Sequence, residues 1–384
     1  MELMTFADRR FAPKVSNASN ARSKLMSRIS GRKRVSGPQG SGYLRFSPSA
    51  SCGGGLGMML SYLRTLLFFA LSHNLTYVHT PITLSHKVDA QKMDALLGFG
   101  RGEQCDSACI TRRLAQGNLR SVRYRLGRGV LEQMPRPLFS PATPGSLPNL
   151  IATNPQASVV FELDGCVSMG TVAPGVQRWM ASHFTAAAAA RPSPSDFDPR
   201  AWNVAVHYRA GDALMGRRYL HRLIHPEYYR RTLSAVLGAL KAHGVAPAAV
   251  VVHIFSEGPR AWFEREGFLS MAGTEGAQVR LWLGNSNSTV SDVRHMATAD
   301  IFVLGRSSLS IAVASLSRGV TILNGWSAEP LPNHFEHVVP WRADGTGDSD
   351  LLLREIRRVD ESHVSARRGC AQQPRRVGRG RGGA

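Results

Sequence analysis

The sequence predicts a doubly wound α/β fold made of two domains that face each other across a cleft. Two observations predict it. In the second half, short apolar segments alternate with helical patterns, and the first half opens with a strand, a glycine turn, a helix and a strand. Between the halves, a polyalanine run passes into a linker rich in Pro, Ser and Asp. Because such alternation is typical of parallel sheets covered by helices, each half is expected to form a sheet of its own.

The first domain is expected at residues 43–190. Its first helix is recognised by apolar residues at i, i+3, i+4 and i+7 spacing, which share one helix face. A proline-rich segment before the last strand is typical of a loop. The expected elements are a strand at Tyr43–Phe46, the glycine turn Gly53–Gly57, a helix from Met59 to Leu71, strands at Leu75–Val78 and Val159–Leu163, and a loop at Pro135–Pro155.

The second domain is expected at residues 201–345, after a linker at 191–200. One of its strands is a continuous apolar run, as expected for a strand buried on both faces of a parallel sheet. Both domains are therefore interpreted as Rossmann-like. The expected strands are Val204–Tyr208, Ala249–Phe255, Val279–Leu283, Ile301–Leu304 and Thr321–Leu323, and the expected helices run from Pro226 to Gly244, Pro259–Glu266, Val293–Ala297 and Ser307–Leu316, with a C-terminal helix at residues 346–365.

Most of the formal net charge of +20 lies in the two ends of the chain. Residues 1–42 carry nine Lys/Arg against two acidic residues, and residues 366–384 carry six Arg and no acidic residue. Neither end has a sustained apolar pattern, so both are interpreted as disordered basic tails. The body is only mildly basic, so no specific nucleic-acid partner is expected, and RNA binding through the Arg/Gly-rich end stays an alternative.

The run HYRAGD, His207–Asp212, directly follows the first strand of the second domain. Ligands of open parallel sheets bind beyond the carboxyl ends of the strands. An Arg at this place, Arg209, can hold a diphosphate through paired hydrogen bonds. The alternative is a structural pair between Arg209 and Asp212.

Three serines, Ser307, Ser308 and Ser310, stand between a predicted strand and a predicted helix. Backbone N–H groups and hydroxyls at such a turn favour binding of an anion. Serine also caps helices. The two interpretations are compatible, because one serine can cap while its neighbours bind.

The glycine turn is expected to line the cleft through Gly54, Gly55 and Gly57. It resembles a phosphate-binding loop but lacks the Lys-Ser/Thr ending of G-x-x-x-x-G-K-[ST]. Glycine also allows backbones to approach closely, so a direct contact with ligand is only one of its two possible uses.

Three strings occur in the order GGGLGMMLSYLRTLLFFALSHNLTYV, VAVHYRAGD and DVRHMATADIFVLGRSSLSIAVASLSRG. The first resembles a G-G-x-G opening, the second an H-x-R-R-G-D strand end and the third a later S-S-x-S turn. In this order they resemble the GDP-fucose-dependent fucosyltransferases, a superfamily that includes nodulation, α1,2-, core α1,6- and protein O-fucosyltransferases. The resemblance covers most of residues 43–326.

The resemblance implies a GT-B-like fold that binds GDP-fucose in its second domain and transfers fucose to a glycan or glycoprotein with inversion. It implies no metal and no cofactor besides the donor substrate. Arg209 would hold the diphosphate, and Asp212 and Glu257, each just after a predicted strand, are the candidate bases. The residues implied for the donor site are His207, Arg209, Ser307, Ser308 and Ser310.

The sequence departs from the family at Ala210, where the family has its second Arg, and at Leu214–Arg217, where the core α1,6 branch has a Glu. The acceptor is therefore open. A glycosyltransferase that uses another nucleotide sugar and a non-catalytic, transferase-like binding protein remain alternatives.

A metal-binding D-x-D site is not expected. Asp196–Asp198 lies in the linker, and Asp348–Asp350 precedes a Leu-rich helix that it is expected to cap. The apolar stretch Leu56–Leu71 is too short and too polar to span a membrane. The family resemblance implies the Golgi or secretory lumen, although no anchor or signal peptide is visible. Cys105 and Cys109 are interpreted either as a local disulfide or as reduced thiols.

Overall fold

The computed structural model describes residues 42–47, 56–81, 90–100, 106–125, 147–154, 158–164, 174–190, 197–198, 200–215, 223–271, 276–284, 289–324 and 337–371. Within them the chain forms two parallel sheets, one in each half, covered by helices. The predicted α/β class with two sheets is confirmed.

The described residues of the first half form four strands and five helices. In chain order these are β1 (Tyr43–Phe46), α1 (Leu56–Ser72), β2 (Thr76–Tyr77), α2 (Ala90–Leu97), α3 (Ser107–Ala115), β3 (Arg120–Arg125), α4 (Leu147–Thr153), β4 (Val159–Asp164) and α5 (Pro174–Ala189). The strands pair in the parallel order β2-β1-β4-β3. Helix α1 is buried on nearly every side, and its buried residues include the polar Ser61, Arg64 and Thr65 besides the apolar ones.

A buried ion pair crosses the centre of this sheet. Arg45 on β1 and Glu162 on β4 lie 2.6 Å apart, and both side chains are only 3% exposed. Ser121 and Arg123 on β3 also donate hydrogen bonds to Glu162. Burial raises the pKa of Glu162, but the hydrogen bonds from its three donors outweigh burial and lower the pKa. The network therefore ties three strands together.

The loop predicted at residues 135–155 is wrong in part, because α4 lies inside it. Leu147 and Ile151 are one helical turn apart, and both are buried. Two apolar residues at this spacing are enough to hold a short helix against the body despite the surrounding prolines. Strand β3 and helices α2 and α3 were not predicted either.

In the second half, the segments that the structure describes form six strands and six helices. They are β5 (Trp202–His207), α6 (Gly211–Met215), α7 (Pro226–Ala242), β6 (Val250–Ser256), α8 (Arg260–Arg265), β7 (Gln278–Leu283), α9 (Thr289–Thr298), β8 (Ile301–Val303), α10 (Ser308–Ala314), β9 (Val320–Asn324), β10 (Val338–Trp341) and α11 (Ser349–Ala371). The parallel order is β10-β9-β8-β5-β6-β7, a doubly wound sheet with its first strand in the middle. Helices α7 and α11 pack together over one face.

Helix α11 differs from its predicted bounds of 346–365. It begins at Ser349 and runs to Ala371, six residues into the segment predicted to be a disordered tail. Ser, Ala and Arg are compatible with a helix, and the first proline comes only at Pro374. The Leu351 N–H donates to Asp348 Oδ1 at 2.8 Å, which confirms that Asp348 caps the helix.

Two further sequence features meet the structure here. Among the described residues, no helix combines the length and the apolar character that crossing a membrane requires. Cys109 is disulfide-bonded, so the alternative of a reduced thiol is wrong for this residue. Cys105 lies outside the described residues.

Candidate functional site

The two polar segments singled out in the sequence follow neighbouring strands. β5 lies beside β8 in the second sheet, and the chain leaves these two strands towards opposite sides of the sheet. In doubly wound sheets this switch point opens a crevice at the carboxyl ends of the two strands, where ligands bind. His207 ends β5, and the Gly305–Ser307 turn follows β8.

Gly305 allows the two strand ends to touch. A Cβ at this position would lie 2.3 Å from the carbonyl oxygen of His207, a distance that no side chain tolerates. Any larger residue would push β8 away from β5. The glycine therefore sets the width of the switch point, a role that its place directly after a strand could have indicated.

Ser310 joins the same two strand ends through its side chain. Its Oγ shares a hydrogen bond with His207 Nδ1 at 2.5 Å and accepts a second from the Gly305 N–H at 3.1 Å. Ser310 is fully buried. Its hydroxyl thus holds the two strand ends together, and the predicted contact of Ser310 with the donor stays a prediction.

His207 is neutral at physiological pH. Burial, with a smaller contribution from the positive charge of Arg209, lowers the pKa of His207 to about 4. A neutral, buried ring bonded to Ser310 carries no charge to a phosphate. The structure therefore gives His207 a positioning role in the loop, while its predicted contact with the donor stays a prediction.

The other two serines take different places in the turn. Ser307 is the N-cap of α10, and its hydroxyl accepts a hydrogen bond from the Leu309 N–H at 3.2 Å. Ser308 is exposed. The predicted cap is thus Ser307, and Ser308 is the most exposed of the three serines.

Arg209 is placed by the residues on either side of it. Tyr208 points inwards and contacts the rings of Trp262 and Phe268, and Ala210 is also fully buried. Arg209 between them is half-buried and lies on the other side of the chain. The position of the family's second Arg is filled here by a residue inside the apolar core. A guanidinium at residue 210 would have no room there.

The two candidate bases lie at neighbouring strand ends. Glu257 directly follows β6 and is exposed, and its carboxylate lies over Gly211, the first residue of α6. Asp212 is the second residue of α6. These two residues therefore follow strands β5 and β6, which are paired along the whole length of β5.

Gly57 lies where helix α1 of the first half contacts helix α10 of the second half. A Cβ there would lie 2.4 Å from the Leu309 nitrogen, at the start of α10. Further along α1, Arg64 donates a hydrogen bond to Ser315 Oγ at 3.3 Å. Helix α1 is thus fixed directly to the helix that follows the Ser307 turn. Gly54 and Gly55, also predicted to line the cleft, lie outside the described residues.

A second buried histidine lies on β6. Trp282 Nε1–H donates to His253 Nδ1 at 3.1 Å, so Nε2 carries the proton and donates to Asn203 Oδ1, also at 3.1 Å. Burial, followed by the charges of Arg280 and His295, lowers the pKa of His253 to about 3. Both of its ring nitrogens are occupied by these partners, so His253 has a structural role.

Comparison with solved structures finds similar folds of low sequence identity. A structure of POFUT1 in complex with GDP has 13% identity and a TM-score of 0.42, and covers 73% of this chain and 98% of that one. A structure of POFUT1 in complex with GDP-fucose has 12% identity and a TM-score of 0.40, and the match covers 76% of this chain and 97% of that one. A UDP-forming trehalose-phosphate synthase from Burkholderia xenovorans gives 13% and 0.31, with 54% of this chain and 47% of that one covered.

No family model matches the sequence. No curated protein matches it either. With TM-scores below 0.5 for these structures, the function has to be inferred from the residues of the site itself.

Proposed function

We propose that this chain is a glycosyltransferase that binds a nucleotide sugar at the switch point of its second sheet. The donor that we propose first is GDP-fucose. The observation that carries the proposal is the meeting of the two polar segments at the switch point. The ends of β5 and β8 touch at Gly305 and are joined by the His207–Ser310 hydrogen bond. The preference for GDP-fucose rests on the resemblance of HYRAGD and GRSSLS to fucosyltransferase motifs.

In this proposal the site stabilises the leaving diphosphate. An acceptor oxygen attacks C1 of the sugar, the bond from C1 to the β-phosphate oxygen breaks, and GDP departs with the electron pair. Arg209 holds the diphosphate through its planar fork of N–H donors. Ser308 and the backbone N–H groups of its turn supply further donors. Donors that are positioned before the reaction lower the barrier because charge develops on the diphosphate in the transition state.

The acceptor proton requires a base. Asp212 follows Arg209 by three residues at the start of α6, so it belongs to the same strand end as the diphosphate site. We propose Asp212 for this role and no metal for the leaving group. Transfer should then persist in EDTA. Loss of transfer in chelator that manganese or magnesium restores would contradict this metal-free mechanism.

The buried Ala210 favours a second candidate, a transferase for a different nucleotide sugar. It removes one cation from the place where the family has two. A thermal-shift panel with GDP, GDP-fucose, GDP-mannose and UDP-sugars distinguishes the two candidates, because a ligand that binds only the folded state raises its stability by mass action. We expect the largest shift with GDP-fucose. A folded sample that responds to none of these ligands would contradict both candidates.

A further inference from the structure

Glu257 occupies a particular place in the second sheet. It directly follows β6, which pairs with β5 on the side opposite to β8. The strand order thus puts three strand ends in a row: the Ser307 turn after β8, Arg209 after β5 and Glu257 after β6. A ligand whose diphosphate lies at the end of β5, the middle strand, can extend towards the end of β8 or the end of β6.

The surroundings of Glu257 suit a ligand. The side chain is exposed, and within the described part of the chain no hydrogen-bond or ion-pair partner of its carboxylate is found. It lies against Gly211, where a Cβ would come within 2.3 Å of Oε2. A glycine at that place lets the carboxylate lie close to the loop that carries Arg209.

The direction of the donor follows from the contact between the halves. The Ser307 turn begins the helix that packs against α1 of the first half through Gly57. As part of the proposed function we place the acceptor beside the first half, so the sugar end of the donor points towards β8. The nucleoside end then extends over β6.

We infer that Glu257 binds the ribose hydroxyls of the donor nucleotide and is not the catalytic base. This inference rests on the proposed function. An ionised carboxylate accepts a hydrogen bond from each of two vicinal hydroxyls, and doubly wound sheets use an acidic residue after their second strand in this way. β6 is the second strand of this sheet in chain order. The expected consequence is selection of ribonucleotides over 2′-deoxyribonucleotides.

The test compares GDP with 2′-deoxy-GDP by isothermal titration calorimetry on the full chain. The wild type should bind GDP roughly ten- to a hundredfold more tightly, the usual effect of a hydrogen bond to a charged group. Glu257→Ala should weaken GDP strongly and 2′-deoxy-GDP less, because the latter loses only the bond from its 3′-hydroxyl, so the ratio of the two affinities should fall towards one. Glu264→Ala, which removes another exposed carboxylate on α8, is the matched control and should keep the wild-type ratio.

Each outcome bears on one claim. If the wild type binds neither nucleotide, the proposed function is wrong. If it binds both equally, or if Glu257→Ala keeps the wild-type ratio, Glu257 does not contact the ribose and the proposed function still stands. If Glu257→Ala binds GDP normally but loses fucose transfer, Glu257 is the base and the inference is overturned. Because Glu257 is exposed, the thermal unfolding curve of its alanine variant should match the wild type.

Discussion

Replacing Ser310 by alanine removes the hydroxyl that joins the two strand ends of the candidate site. The hydroxyl makes hydrogen bonds at 2.5 Å with His207 and at 3.1 Å with the Gly305 N–H, and it is fully buried. The variant leaves two buried polar groups without this partner, and each such loss costs about 1–3 kcal/mol. We therefore expect Ser310→Ala to lower the free energy of unfolding by about 2–6 kcal/mol at pH 7.

Ser308→Ala is the matched control, because Ser308 lies two residues away and is exposed. Its free energy of unfolding should change by less than about 0.5 kcal/mol. In the proposed function the Ser308 hydroxyl contacts the donor phosphate, so the affinity of Ser308→Ala for GDP should fall. Urea unfolding followed by tryptophan fluorescence measures the stability of both variants, and calorimetry measures the affinity of both for GDP.

Two results would refute this reasoning. Equal stability of the two variants would show that the Ser310 hydroxyl does not hold the strands together. If both variants bind GDP with wild-type affinity, the GRSSLS turn is not part of the nucleotide site.

Three further outcomes are expected. Arg209→Lys should fold normally and lose roughly 10²–10³ in turnover, since a point charge replaces a planar fork. The control variant Arg260→Lys on α8 should keep wild-type turnover. Near-normal turnover of Arg209→Lys would place the diphosphate elsewhere. Gly57→Ala should lower the unfolding free energy by about 1–3 kcal/mol, because its Cβ would meet the Leu309 nitrogen at 2.4 Å, and an unchanged urea midpoint would contradict the close contact. The pKa of His207 is lowered to about 4 in the folded protein, so the unfolded chain binds this proton more readily. The free energy of unfolding should therefore be highest above pH 6.5 and fall by about 3 kcal/mol towards pH 4. A flat pH profile of the unfolding free energy over this range would count against a neutral His207.

Of the described strands, the sequence predicted every central one but only two of the four at sheet edges, β2 and β7. β5, β6 and β8 are central, and their apolar runs follow directly from burial on both faces. β3 has the sequence RSVRYR and lies at an edge, where exposed Arg side chains are tolerated. β10, also at an edge, contains the exposed Pro340. Edge strands need no continuous apolar pattern, so these two could not be recognised.

The candidate site was predictable residue by residue but not as an arrangement. A strand followed by HYRAGD and a strand followed by GRSSLS are visible in the sequence, whereas the adjacency of β5 and β8 depends on the strand order. The sequence also suggested similar roles for Ser307, Ser308 and Ser310. Only their burial and partners separate a cap, an exposed hydroxyl and an internal tie.

The contact at Gly57 limits how the two halves of this chain can be recombined with halves of other proteins. In such recombination one half is inherited from a different parent. Here a missing side chain on α1 fits against the backbone at Leu309 on the other half. A hybrid that brings any larger residue to position 57 would separate the halves beside the Ser307 turn. The glycine and the turn it faces therefore have to be inherited together, and a crossover at the linker would succeed only between parents that share both.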